Sequence, residues 1–126
     1  MKLIIGGACQ GKKDYVMQKY RITDKEITDG KELNINEITE ICCINNFDLL
    51  VKKLLTNGEN PTKAAEKILL ENPDVIIIMN EIGNGIIPLE KSERIWREEV
   101  GRIGCFLAGR AESIERVVCG IAVRIK

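Results

Sequence analysis

Gly6, Gly11 and Lys12 stand at the spacing Gly-x-x-x-x-Gly-Lys, directly after the apolar stretch Leu3-Ile4-Ile5. Glycines at that spacing let backbone N–H groups turn inward around a phosphate. A following helix adds the positive end of its dipole, and the lysine reaches the terminal phosphates. Gly6, Gly7, Ala8, Cys9, Gln10, Gly11, Lys12 and Lys13 are therefore the candidate nucleotide-phosphate residues. The residue after the lysine is ordinarily Ser or Thr, whose hydroxyl binds Mg²⁺. Here it is Lys13, and an ammonium group repels a metal ion instead of ligating it. Two alternatives stand: a phosphate loop without its usual metal ligand, or a glycine-rich turn without a ligand.

A second strand-to-loop junction follows the apolar run Val75-Ile76-Ile77-Ile78-Met79, where the chain reads Asn80-Glu81-Ile82-Gly83-Asn84-Gly85-Ile86-Ile87-Pro88. Open α/β sheets bind ligands beyond the carboxyl ends of their strands, and this loop lies there. Glu81 is the candidate catalytic carboxylate beside Lys12. It either holds a metal-bound water or accepts a hydroxyl proton, or it serves as a partner for loop amides. Gly83 and Gly85 fit backbone geometry better than ligand contact.

What the chain lacks narrows the chemistry further. It has no histidine, so catalysis through an imidazole is impossible and the usual zinc sets are incomplete; no metal-ligating set is expected. Its 19 basic and 19 acidic residues cancel, which argues against a dedicated nucleic-acid surface. No apolar run reaches membrane-spanning length and no signal-peptide pattern opens the chain. Five cysteines form no CxxC pair, and their mostly apolar neighbours predict buried thiols in a reducing cytoplasm. Asp14 could stand in as a metal ligand only if the first helical turn were displaced.

The elements that position these residues can be read from apolar periodicity. At 126 residues the chain is expected to form one domain. Strands are predicted at Lys2 to Ile5, around Glu26-Ile27-Thr28, at Ile38 to Ile44, at Val75 to Met79, and as a closing pair broken at Gly120. Helices are predicted over Lys12 to Tyr20 and Phe47 to Leu55, and from Asn60-Pro61 up to Asn72-Pro73. A longer helix, capped by Ser92, is predicted to run to about Ala111 with Ile95, Trp96, Val100, Ile103 and Leu107 on its inner face. Trp96 reads as core or subunit contact. Arg94 and Arg97 read as phosphate ligands or as partners of nearby glutamates. Strands alternating with helices give an α/β fold with a mainly parallel sheet, flanked by helices.

Taken together, these segments resemble the adenosylcobinamide kinase/adenosylcobinamide-phosphate guanylyltransferase family of cobalamin biosynthesis. Asn80 to Pro88 is similar to its Asn-Glu-Val-Gly-x-Gly-Ile-Val-Pro loop. Arg94-Ile95-Trp96-Arg97-Glu98-x-x-Gly101-Arg102 resembles its Arg-x-Phe-Arg-Asp-x-x-Gly-Arg helix, and Gly120 to Lys126 its closing strand. Gly6-Gly7-Ala8-x-x-Gly11-Lys12 resembles its Gly-Gly-Ala-Arg-Ser-Gly-Lys-Ser loop. The resemblance implies a P-loop nucleotide-binding fold, GTP or ATP as donor with Mg²⁺, and adenosylcobinamide as acceptor. It further implies guanylyl transfer through a histidine, and a homo-oligomer, commonly a trimer. Three departures fall on the chemistry: Lys13 replaces the P-loop hydroxyl, Cys42 stands at the family's acidic strand end, and the histidine is absent from a shortened middle segment. Guanylyl transfer by the family's route is excluded, and kinase activity loses part of its metal-assisted charge stabilisation. The alternative is a non-catalytic nucleotide- or corrinoid-binding scaffold that keeps the fold.

Overall fold

The computed structural model describes residues 1–82 and 90–126. Among the described residues, six strands form one sheet, β1 (Lys2–Gly6), β2 (Ile27–Asp29), β3 (Cys43–Asn45), β4 (Ile76–Asn80), β5 (Ser113–Val118) and β6 (Ile121–Arg124), in the order β2-β3-β4-β1-β5-β6. All neighbours are parallel except β5 and β6, which form an antiparallel hairpin. Among the described residues, four α-helices connect them, α1 (Lys12–Tyr20), α2 (Phe47–Thr56), α3 (Pro61–Glu71) and α4 (Lys91–Arg110), with a short 3-10 turn over Asp24–Glu26. The chain leaves β1 toward β2 at one edge and later reaches β5 on the other side of β1. β1 therefore marks the reversal of strand order, where a crevice opens beyond the strand ends. This is a P-loop α/β fold.

Parallel strands covered on both faces read as unbroken apolar runs, and β4 does. Ile77 faces the larger core with Leu3, Ile44, Leu50, Ile68, Ile103 and Leu107, whereas Ile78 faces the smaller one with Ile4, Val16, Cys43 and Val117. Both isoleucines are fully buried, each worth roughly 1.5 to 3 kcal/mol relative to exposure. Lys2 of β1 lies opposite Ile76 of β4 and Ser113 of β5, so the carboxyl ends of the three strands align.

Several expectations hold closely. α1 spans the predicted residues, and β2 falls where the short Ile27 alternation placed it. Asn60 caps α3 by accepting from the N–H groups of Thr62 (2.9 Å) and Lys63 (3.3 Å), with Pro61 in the first turn.

Three expectations are corrected. The strand predicted over Ile38 to Ile44 is confined to Cys43–Asn45. Upstream, the Asn72 side chain takes the place of a neighbouring strand: its Oδ1 accepts from Ile41 N at 2.9 Å and its Nδ2 donates to Ile38 O. Ser92 lies inside α4, whose cap position is Glu90. Of the cysteines only Cys43 is buried; Cys9, Cys42, Cys105 and Cys119 are exposed. Cys9 and Cys119 sit in turns with positive φ, so their apolar neighbours in sequence do not cover them. Burial pushes the Cys43 thiol up to about 12, which makes it a core side chain and not a nucleophile. Among the described residues, no helix is long and apolar enough to cross a membrane.

α1 is locked to the sheet by a charged cluster on the smaller-core face. Glu115 of β5 is 7% exposed, and its carboxylate accepts from the Tyr15 hydroxyl and from Lys19 Nζ at 2.7 Å. Burial disfavours the ionised form, but the bonds from Lys19 and Tyr15 outweigh it and hold the carboxyl below its ordinary value. A depressed carboxyl value stabilises the fold above the unfolded value, and that contribution is lost as pH falls through the folded one. Glu115→Gln is therefore expected to cost about 1 to 3 kcal/mol at pH 7. The gap from wild type should close below about pH 4. Urea unfolding across that range checks it, and a gap independent of pH would refute the ionic origin.

Candidate functional site

The turn after β1 is built by its glycines. Gly11 adopts φ 85° at the cap of α1, a left-handed conformation that disfavours other residues, and it hands the chain into the helix through Tyr15 N donating to Gly11 O at 3.0 Å. A Cβ on Gly6 would lie 2.5 Å from the backbone oxygen of Val117, so only glycine lets β1 approach β5 this closely. Gln10 fastens the loop to the β5–β6 turn. Its Oε1 accepts from Cys119 N and its backbone oxygen from Gly120 N, each at 2.8 Å. On the other side, Gly6 O accepts from Glu81 N at 2.8 Å. The loop is thus held from both neighbouring strands.

Lys12 points into this loop. It is 6% exposed and its Nζ donates to Gly7 O at 2.6 Å. Burial pushes its ammonium below the ordinary lysine value, and Asp48, Cys9 and Glu81 oppose that shift. A cleft of about 260 Å³ opens beside it, lined by the loop from Ala8 to Lys13 and by Asn45, Asn46 and Asn80. Those asparagines end β3, cap α2 and end β4, so the cleft lies at the carboxyl edge of the sheet, as the sequence places it.

Lys13 lines the cleft, but its ammonium pairs with Asp24, and that hydrogen bond raises its proton affinity. The position of the usual metal-binding hydroxyl thus carries a cation turned toward another partner. Among the described residues, no group of three His, Cys, Asp or Glu side chains could hold a metal ion. The described lining offers the neutral amide side chains of Gln10, Asn45, Asn46 and Asn80 beside two lysines, without a carboxylate of the kind that usually anchors Mg²⁺, so its residues by themselves do not fit the metal. Asp14 stands in the first turn of α1.

Glu81 follows β4 and makes a two-point ion pair with Arg116 of β5: Nε to Oε1 at 2.8 Å, and a terminal guanidinium nitrogen to Oε2 at 3.1 Å. Arg116 was not legible as a site residue, because β5 reads as a plain closing strand. Gly83 and Gly85 lie outside the described residues. Trp96 packs against the larger core, donates from Nε1 to Asp48 O at 2.8 Å and carries Lys52 Nζ 4.6 Å from its ring centre.

A second, more apolar cleft of about 400 Å³ opens between the sheet and α4, lined by Ile5, Met79, Val100, Gly101, Gly104 and Ala108. Asn80 lines both clefts and Glu81 lines the second, so the two meet at the end of β4. Sequence reasoning also missed Asp48. It is 2% exposed on the first turn of α2, and its carboxylate accepts from Asn80 N at 3.1 Å and Asn80 Nδ2 at 3.4 Å. An acidic residue in a first helical turn reads as a dipole partner, which concealed it.

Comparison with known proteins gives a family. Two curated relatives, the bifunctional adenosylcobalamin biosynthesis proteins CobU of Salmonella typhimurium and Escherichia coli, are each 40% identical over 52 residues. That stretch is 41% of this chain and only 29% of each relative's length. The family model described as cobinamide kinase / cobinamide phosphate guanyltransferase matches residues 17–125. The match begins after the phosphate loop, so the assignment of Gly6 to Lys13 rests on spacing and geometry. Since the matched residues make up most of the sequence, the chain belongs to the cobinamide kinase/cobinamide phosphate guanyltransferase family.

Proposed function

We propose that this protein binds GTP or ATP in a cobalamin-biosynthesis role, with the backbone of Gly6 to Lys13 cradling the phosphates and Lys12 reaching the terminal ones. The observation that carries this reading is the strand–loop–helix turn with Lys12 buried at its centre, placed where strand order reverses. Helix N-terminal amides and a lysine of this kind are an anion site. The apolar cleft meeting the phosphate cleft at Asn80 supports an acceptor beside the nucleotide, and adenosylcobinamide is the acceptor that family membership suggests.

In such a site the residues bind and orient. Lys12 balances phosphate charge, and Glu81 is the carboxylate nearest a candidate acceptor site, able to receive a hydroxyl proton once it leaves Arg116. Guanylyl transfer through a histidine is not available, since the sequence has none. A second reading, a nucleotide- or corrinoid-binding scaffold without transfer, is favoured by the Glu81–Arg116 pair, which engages both carboxylate oxygens.

Isothermal titration of GTP and ATP into the protein, followed by a cobinamide phosphorylation assay, tests this function. Saturable micromolar binding with turnover is expected for the enzyme, and binding without turnover for the scaffold. No binding of either nucleotide would refute the phosphate-loop reading.

A further inference from the structure

Among the described residues, the cleft beside the glycine loop is lined by cations and neutral groups only: Lys12, Lys13, Gln10, three asparagines and small loop residues. Residues 83–89 can add no carboxylate, because their sequence is Gly-Asn-Gly-Ile-Ile-Pro-Leu. Neighbouring carboxylates serve other partners: Asp48 accepts from Asn80, Glu81 from Arg116 and Asp29 from Asn46. Asp14, the residue after Lys13 on α1, lies outside the lining.

α1 and α2 both begin at this cleft. Their cap positions, Gly11 and Asn46, are lining residues, and neither helix start has a side-chain cap. An uncapped helix start presents roughly half a positive charge, so with two ammonium groups the cleft carries about three. Asp48, buried in the first turn of α2, offsets part of that charge from behind. Mg²⁺ at a phosphate site cancels phosphate charge and is usually anchored by a carboxylate. Here the protein supplies positive charge itself, and both lysines repel a divalent cation.

Lys13 is the residue that makes the difference. Its ammonium pairs with Asp24, but the two side chains are 42% and 71% exposed, and ion pairs so exposed contribute little. Exchanging Asp24 for a phosphate therefore costs little, and the flexible four-carbon stem of lysine allows it. We propose that the cleft binds its nucleotide as the metal-free polyphosphate, with Lys13 leaving Asp24 to supply the charge that a divalent cation ordinarily brings. This rests on the phosphate-loop reading above. Mg²⁺ then acts as a competitor, because it binds the phosphates in solution and removes the form that the cleft takes.

The test is calorimetric titration of GTP into wild type, Lys13→Ser and Lys67→Met, in EDTA and in excess Mg²⁺ with NaCl equalising ionic strength. Circular dichroism confirms that each variant folds. Wild type is expected to bind about tenfold tighter, or more, in EDTA, the scale of one charge-assisted contact. Lys13→Ser removes the charge and restores the hydroxyl, so it should weaken binding in EDTA by about tenfold and abolish the preference for metal-free nucleotide. Lys67, an exposed residue of α3 outside the cleft, is the control for net charge, and its variant should match wild type. Wild-type binding that is equal or tighter in Mg²⁺ would overturn the proposal and leave the phosphate loop standing. So would a Lys13→Ser variant that keeps wild-type affinity in EDTA, or equal losses in the two variants. Absence of GTP binding in both conditions overturns the phosphate loop as well.

Discussion

Lys12→Met is expected to lower GTP or ATP affinity by on the order of 10- to 100-fold while leaving the fold as stable as wild type, or more so. The two effects have different origins. A charge-assisted bond from lysine to phosphate is worth roughly 1.5 to 3 kcal/mol, and each 1.4 kcal/mol is about tenfold in affinity. Folding, by contrast, must take the ammonium out of water: Lys12 is 6% exposed, and burial pushes its proton affinity down. Among the described residues, only a carbonyl, Gly7 O, accepts from it directly. Methionine keeps the aliphatic stem, which packs beneath Gly6, and removes the charge. Calorimetric titration and thermal unfolding of the same samples read both effects. A variant that loses stability and keeps affinity would show that Lys12 is a structural residue.

Gly6→Ala is expected to destabilise by about 1 to 3 kcal/mol, the range for forcing an extra carbon into a packed site. The added Cβ would stand 2.5 Å from Val117 O, which is backbone of the neighbouring strand and cannot rotate aside. Relief requires β1 and β5 to part, which also disturbs the Gln10 bonds to Cys119 and Gly120 and the Glu81 bond to Gly6 O. Nucleotide binding should therefore fall with stability. Gly101→Ala is the control of opposite sign. That glycine lies within α4 with nothing within 4 Å of an added Cβ, so alanine should raise stability by up to about 1 kcal/mol. Urea unfolding of the pair checks both directions, and equal effects would discount the steric account.

Much of this protein was legible because its signals are local. The glycine spacing before α1, the cap and proline at Asn60-Pro61 and the apolar run of β4 are each set by neighbours within a few residues. Errors arose where a distant partner decided the outcome. Ile38 to Ile41 has strand-like composition, yet its backbone is tied to the Asn72 side chain, more than thirty positions away. Cys9 and Cys119, beside apolar residues, were expected inside, but each sits in a turn, which exposes its side chains whatever flanks it.

The same division runs through the site. By itself the sequence determined the alternation of strands and helices, the phosphate-loop spacing, the lysine in place of a metal-binding hydroxyl and the absence of histidine. These follow from residue type, periodicity and backbone preference, which act over short separations. Only the tertiary structure decided that Glu81 faces Arg116, that Gln10 anchors the loop to the β5–β6 turn, and that Asp48 lies buried against Asn80 beside Lys12. Those contacts join residues 32 to 109 positions apart, and they exist because parallel strands bring distant carboxyl ends to one edge. No pattern within a strand or helix encodes which side chains will meet there.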